Sequence, residues 1–548
     1  MRPQRQESKG IVYTKRWVVD LILDFVGYRS DEDLATRRAV EPAAGEGAFL
    51  LPMVDRLLAS LEKHDRPLTD AREALSAYEL DLDALLYARD LVVDRLIGAG
   101  LKQREAARVA SGWFVEGDYL LRAANDPLAD YVVGNPPYIR YDDIPPELFA
   151  RYRSGCPTMI GRCDIYVGFI EAGIKQLKAQ GKLGFICADR WMRSAYGAQL
   201  RRYVADSASV DVVIEMHKAP AFDDEVSAYP AVIVLRRGEQ ERPLVGSADA
   251  SAEGASDVTE SITDALIEVA ENRRDDIPGF TATRLDSWYG GATAWPWGAP
   301  HELSMLKWLE ERFRPLEDSA TGTRVGIGIA TGADSVFVTK DPAVAEPERL
   351  LPLAMGADTR SGTLEWSGHY LVNPWTSQGL ADLEEFPRLA HYLSRHDSIL
   401  SRRKVFQSDE QPHYRTIDRV ITGLLEREKL YFPDMKMEAH PVLDRGRTYP
   451  HHNLYFVTSD VWDLEVLGGI LLSKVAELFV SCYCVKMRGG TLRFQAQYLR
   501  RIRVPNPTGV PDKVADALRQ AFHERDRAAA TAAAIEVYGL RELAEELL

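Results

Sequence analysis

The 548-residue chain has no run of 18 apolar residues, so nothing in it reads as a membrane-spanning helix. Its first residues, MRPQRQESKGIVYTKR, lack the apolar core of a secretory signal, and the expected location is the cytoplasm. Only five cysteines occur, too few for a disulfide framework in a chain this long. Cys482 and Cys484 form a Cys-x-Cys, but Cys156, Cys163 and Cys187 supply no matching zinc pair, and no metal is expected. Positive charge is in deficit: 82 acidic residues against 67 basic ones leave a net charge of −15. That balance argues against a general nucleic-acid coat protein. With 39 Gly, 29 Pro, 46% hydrophobic and 27% charged residues, no low-complexity or disordered class applies. There is no internal repeat.

What is present is α/β alternation. RRAV ending at Val40, LSAYELD (75–81), DYVVGNPPY (130–138), KLGFICA (182–188), DVVIEM (211–216) and AVIVL (231–235) read as strands. Between the first two, Phe49, Leu50, Met53, Val54, Leu57, Leu58 and Leu61 recur at helical spacing. DALLYARDLVVDRLI reads as a second helix, and Phe169, Ile170, Ile174 and Leu177 share the face of another. This repetition predicts a doubly wound, Rossmann-like sheet over residues 1–240. The Ser-, Ala-, Gly- and acid-rich stretch within 241–278 reads as a connector or insertion. A mixed α/β domain is expected over 279–507 and a helical tail over 508–548, where alanine is frequent.

Three motifs carry chemistry. EPAAGEG (41–47) is a Gly-rich turn between strand and helix, where Ala43, Gly45 and Gly47 let a ligand approach the backbone and a helix N-terminus follows. Glu41 at the strand end repels phosphate and suits a cationic head such as an amino-acid ammonium. Glu79, ending the next strand, is placed to hold ribose hydroxyls, with Asp81 and Asp83 as competitors. Gly134-Asn135-Pro136-Pro137-Tyr138 follows an apolar strand. The two prolines remove donors and hold the backbone extended, so preceding carbonyls stay available. Asn135 adds a side-chain acceptor and Tyr138 a flat face, which suits a planar group bearing an exocyclic NH₂.

EPAAGEGAF followed by NPPY resembles the gamma-class, TaqI-like adenine-N6 DNA methyltransferases of restriction–modification systems, enzymes that use S-adenosylmethionine. The likeness extends over most of the chain. In IVYTKRWVVDLILDFV it sets Thr14 at a cofactor-contacting position, with Thr14-Lys15 where Thr-Pro is usual. The turn reads Ala44-Gly45-Glu46-Gly47 where Cys-Gly-Ser-Gly is common. GDYL sets Asp118 where the family binds the cofactor's adenine amino group, and APAFDDEVSAYPAVIVLRR sets Phe222 where the family stacks the extruded base.

The resemblance implies a reaction. The target adenine is flipped out of the duplex at a cost of a few kcal/mol. Tyr138 and Phe222 sandwich it, and the Asn135 oxygen and Pro136 carbonyl accept its amino hydrogens. The nitrogen then attacks the sulfonium methyl in line, with no covalent enzyme intermediate. The cofactor expected is S-adenosylmethionine, bound by Thr14, Glu41, Ala43, Gly45, Gly47, Glu79 and Asp118. The partner expected is double-stranded DNA, read by residues 279–507. Within them Lys486, Arg488, Arg493, Arg500, Arg501 and Arg503 form a basic strip with no acid in its sequence. His451 and His452 are assigned to the fold or DNA contacts, and the acids around Asp434 to structure. Because the cofactor segment begins near residue 11, the chain is expected to methylate only, with any nuclease a separate protein of a restriction or phage-defence system. The alternatives are an N-methyltransferase for protein glutamine or RNA using the same NPPY site, and a non-catalytic DNA-binding subunit.

Overall fold

A computed structural model describes residues 13–223, 229–257, 261–271, 273–275, 277–403, 412–484 and 491–540. The chain divides between His301 and Glu302 into two compact units.

The first unit is built on nine strands: β1 (Ala39–Glu41), β2 (Leu75–Glu79), β3 (Phe114–Glu116), β4 (Ala129–Gly134), β5 (Leu177–Ala188), β6 (Ser209–Glu215), β7 (Pro230–Arg236), β8 (Leu244–Ala248) and β9 (Phe280–Arg284). Their order is β3-β2-β1-β4-β5-β7-β6-β8-β9. β3, β2, β1, β4 and β5 run parallel, and β7 enters antiparallel between β5 and β6. All seven residues of β7 are buried, as a strand covered on both faces requires. The strand order reverses between β1 and β4, and such a reversal leaves a crevice at the carboxyl ends of the two strands. Asn135 and the Gly-rich turn both leave the sheet there.

The helix Arg16–Val26 packs on β4, β5 and β7 and buries Val18, Val19, Ile22 and Val26. It ends at Gly27, whose φ of 83° is the left-handed cap that glycine supplies. Asp81 begins the helix Leu82–Gly98 by accepting hydrogen bonds from the Asp83 and Ala84 amides.

The stretch 241–278 is not a connector. Leu244 and Val245 are 1% exposed and lie in β8, which pairs parallel with β6, and β9 then pairs with β8. The helix Ile262–Ala270 buries Leu266 in the same core. Polar composition between these apolar segments masked their role, and the first unit extends past residue 279 to His301.

In the second unit, an antiparallel sheet orders Arg324–Ile327, Leu454–Thr458, Glu428–Pro433 and Val442–Arg445. A second sheet joins Val338–Thr339, Tyr370–Val372, Leu350–Ala354 and Tyr449–Pro450. The alanine-rich stretch does form helices, Asp512–Glu524 and Arg527–Tyr538. They are not a detached tail: both pack on Leu464–Leu472, within the unit's own core. Among the described residues no single helix is long and apolar enough to cross a membrane.

A Cβ on Gly184 of β5 would meet Val26 Cγ1 at 2.5 Å and Ile22 Cγ2 at 2.8 Å. Gly184→Val should therefore overpack the contact with helix Arg16–Val26 and lower stability by about 1–3 kcal/mol. The check is a lower denaturant midpoint with an unchanged slope.

Candidate active site

At the carboxyl ends of β1, β2 and β4 lies a cavity of about 340 Å³, within the range of small-molecule pockets. Thr14, Glu41, Ala43, Gly45, Glu79, Asp118, Asn135 and Pro136 all line it. Residues far apart in sequence are thus gathered by the sheet, as when Asn135 Nδ2 donates to Thr14 Oγ1, 121 positions away, at 3.2 Å.

The Gly-rich turn needs its glycines for backbone reasons. Gly45 and Gly47 hold φ of 53° and 95°, the left-handed region that side chains avoid. Gly47 does not line the cavity. Its N–H closes the turn on the Ala44 carbonyl at 2.9 Å, and it faces the Leu51 side chain. Glu79 anchors the turn from the neighbouring strand: Oε2 accepts from the Gly45 amide at 2.7 Å, and Oε1 accepts from Leu80 and Asp81, both at 2.8 Å. The competition among the acids resolves here, since Asp81 is occupied in capping the next helix and only Glu79 reaches the cavity.

Glu41 is 2% exposed. Burial, then the nearby Glu79 charge, push its carboxyl well above the usual range, while the Leu50 and Phe49 amides at the following helix N-terminus pull the other way. Its Oε2 finds no hydrogen-bond partner among the described residues. Asp118 accepts from the Leu120 amide at 3.0 Å through Oδ1 and from the Tyr152 hydroxyl at 2.6 Å through Oδ2. Each oxygen keeps a second lone pair for a ligand donor. The cavity therefore offers a buried acceptor for a cation beside Glu41, acceptors at Glu79 and Asp118, and apolar walls from Ile144, Leu148 and Phe169.

Phe222 arrives beside this cavity by strand pairing. Thr14 and Phe222 form an antiparallel bridge, with Lys15 N donating to Ala221 O at 3.0 Å and Asp223 N to Tyr13 O at 3.1 Å. Where the family usually has proline, Lys15 thus supplies an amide N–H to this bridge, which proline could not give. Tyr138 meets Phe222 with ring centroids 6.3 Å apart and planes at 85°. With no base between them, the two rings meet edge to face. The Tyr138 hydroxyl is buried without a hydrogen-bond partner among the described residues, and burial raises its pKa well above the ordinary tyrosine value.

The wall at Ile144, Leu148 and Tyr152 was missed from sequence. Only its closeness to NPPY could have signalled it, since IRYDDIPPELF carries no motif of its own.

The basic strip changes most. Lys486 and Arg488 lie outside the described residues. Arg493 is ion-paired with Asp434, and Arg500 pairs with Glu317 at 3.0 Å while donating to Val325 O at 2.6 Å. Arg501 lies 4.5 Å over the Tyr483 ring, and the Arg503 carbonyl accepts from the Tyr538 hydroxyl at 2.5 Å. The strip is thus acid-free in sequence but not in space. Elsewhere in this unit Asp334, His451 and His452 bring potential ligand atoms within 4.8 Å of one another, an arrangement open to a divalent cation. All five cysteines are buried.

Sheet order, switch-point cavity and NPPY together define a methyltransferase-type α/β enzyme. The family model for Eco57I restriction-modification methylases matches residues 103–222, which run from the helix Gln103–Trp113 to Phe222. The type II methyltransferase M.PaeR7I of Pseudomonas aeruginosa is 40% identical, with 97% of this chain and 92% of that protein aligned. M.XhoI of Xanthomonas vasicola is 38% identical, with 99% of each chain aligned. The DNA-bound type IIL restriction-modification enzyme MmeI shares the fold at a TM-score of 0.54 and 10% identity, covering 96% of this chain and 74% of that one. The chain belongs to the type II restriction-modification methyltransferases and is a DNA-methylating enzyme.

Glu41 yields a prediction independent of turnover. A buried carboxyl with a raised pKa loses stability as pH climbs above its unfolded value of about 4.3, because the unfolded chain then ionises it in water while the folded state holds it protonated. Glu41→Gln should melt higher than the parent near pH 7 and converge with it near pH 4, as read by thermal denaturation across pH.

Proposed function

We propose that the protein transfers the methyl group of S-adenosylmethionine to the N6 amino group of an adenine extruded from double-stranded DNA. The observation that carries this reading is the anchored Asn135 amide. Its nitrogen is held by Thr14 Oγ1, and its segment borders the cavity with Pro136 beside it. In this reading the Asn135 oxygen and the Pro136 carbonyl accept the two amino hydrogens and sharpen the nitrogen lone pair.

The residues of the cavity fit the cofactor. The unpartnered Glu41 oxygen suits its ammonium group, Glu79 its ribose hydroxyls and Asp118 its adenine amino group. When bound, the cofactor supplies an electrophilic methyl. The chain's own part is to orient the amine, exclude water and hold both reactants in line, an entropic advantage that dominates such transfers. Tyr138 and Phe222 serve the flipped base, stacking being worth about 1–3 kcal/mol per base. Because the rings now meet edge to face, the base enters as Phe222 turns away from Tyr138. No role in this scheme falls to a metal.

The second unit, from Glu302 onward, is assigned to reading the DNA sequence, which supersedes the span 279–507. Arg493 and Arg500 are assigned to holding that unit together, since each is already matched by an acid. Protein glutamine and RNA lose ground as substrates because the near full-length relatives are type II methyltransferases. The protein is expected to act in the cytoplasm, alongside a separate restriction nuclease.

Sequencing DNA from a host that expresses the chain should reveal N6-methyladenine at one recurring motif. Modified cytosine instead, or unmodified DNA, would refute the reading. Asn135→Ala should slow transfer by about 10²–10³-fold, the scale for removing one group that stabilises developing charge. Glu41→Gln should weaken cofactor binding, measured by calorimetry, by roughly 10- to 100-fold, since a hydrogen bond to a charged group contributes ~1.5–3 kcal/mol.

A further inference from the structure

We infer that Asp189 and His217 form a positioning pair that fixes the chain segment carrying Phe222 against β5, ready for methyl transfer. The inference rests on the assignment of Phe222 to the flipped base.

Phe222 lies in the connection between β6 and β7, and a single residue holds both ends of that connection. Asp189, which follows β5 directly and is 1% exposed, donates its backbone N–H to the Tyr229 carbonyl at 3.0 Å, at the entry to β7. Its side-chain Oδ2 accepts from His217 Nε2 at 2.8 Å, two residues past the end of β6. The His217 ring packs on Tyr229 with centroids 4.8 Å apart, which ties the two ends to each other. On its far side Phe222 is bridged to Thr14, the residue that holds Asn135.

The charges explain why histidine suits this place. Both ring nitrogens face carboxylates: Nε2 faces Asp189, and Nδ1 lies 2.6 Å from Glu215 Oε1. Both interactions are satisfied together only by the doubly protonated imidazolium. Arg193 completes the cluster, donating Nη2 to Asp189 Oδ2 at 2.6 Å. Two carboxylates thus face two cations in a nearly dry setting, where losing one member leaves the others uncompensated. The other groups against the cluster are the Tyr229 ring on His217, the Trp297 ring at 6.4 Å, and the Cys187 thiol, whose pKa is raised by burial and then by the Asp189 charge.

The pH consequence follows in sign. Burial alone would lower the His217 pKa, but its hydrogen bonds to Asp189 and Glu215 prevail and raise it above the ordinary value. A raised histidine pKa means the pair is complete below about pH 6.5 and is lost as pH rises through the folded value. Asp189 is held below the usual carboxylate range: burial opposes this, but Arg193 and His217 outweigh it. Asp189 therefore remains an acceptor throughout that window.

The test is the single-turnover rate of methyl transfer to unmethylated host DNA, with cofactor and DNA saturating, between pH 6 and 9. The parent rate should fall on the alkaline side through one ionisation. His217→Gln should be about tenfold slower at pH 6.5, the order expected when a charged hydrogen bond that orients a group is lost, and should lack that fall. Glu215→Gln should keep nearly the parent rate at pH 6.5 and shift the fall to lower pH, a displacement that general destabilisation would not produce. Cofactor binding should be unchanged in both variants. Phe222→Ala is the companion measurement. If it is slow while His217→Gln and Glu215→Gln follow the parent profile, the positioning role is wrong and the base assignment stands. If Phe222→Ala itself transfers at the parent rate, the base assignment fails. Should His217→Gln not fold, the Glu215→Gln profile decides alone, an unshifted fall refuting the role.

Discussion

One hydrogen bond, from Asn135 Nδ2 to Thr14 Oγ1, holds the point where the rest of the site converges. Thr14 comes from the chain's first described residues, Asn135 from the end of β4, and through the Thr14 bridge the β6–β7 connection brings Phe222. Each approach is independently braced. The helix Arg16–Val26 lies on the sheet, a Cβ on Gly134 would come within 3.4 Å of Pro42 Cδ, and Asp189 pins the connection. An amide that must present an acceptor to a reacting amine gains little from chemistry of its own. It gains from being held in place before the substrate arrives.

The acidic residues of the first unit follow two contrasting strategies. In the cavity, Glu79 is surrounded by three backbone amides, whereas Glu41 is buried with an oxygen left over and a pKa raised by burial and by Glu79. That is an unstable arrangement until something cationic arrives. Beneath the β6–β7 connection, Asp189 is equally buried but matched by Arg193 and His217, and its pKa is lowered. Burial raises the pKa of the first carboxyl, and neighbouring cations lower that of the second. The difference lies in their partners, not in their depth.

Much of this was legible in residue order. Strands β1, β2 and β4 to β7 announce themselves as apolar runs, and the turn at 41–47 and NPPY carry local chemistry that does not depend on distant residues. What stayed hidden depends on partners far away in sequence. β8 and β9 escaped because the polar stretch between them drew attention from Leu244 and Val245. The strip around Arg493 and Arg500 looked like an exposed cationic surface because its neutralising acids, Asp434 and Glu317, lie 59 and 183 residues away. The His217 cluster could not be read at all, since His217 and Asp189 are 28 residues apart on different strand ends and neither belongs to a motif. The angle at which the Tyr138 and Phe222 rings meet was out of reach too, because motif positions identify aromatic residues but not the angle between their planes.

The account stands or falls on whether holding the Asn135 amide controls the chemical step. Thr14→Val keeps the shape of the side chain and removes the acceptor, while Thr14→Ser keeps the acceptor. In single-turnover methyl transfer with cofactor and DNA saturating, the valine variant should be about tenfold or more slower, as for a lost hydrogen bond worth ~1.4 kcal/mol. The serine variant should remain close to the parent. A valine variant that transfers the methyl group at the parent rate would contradict the account.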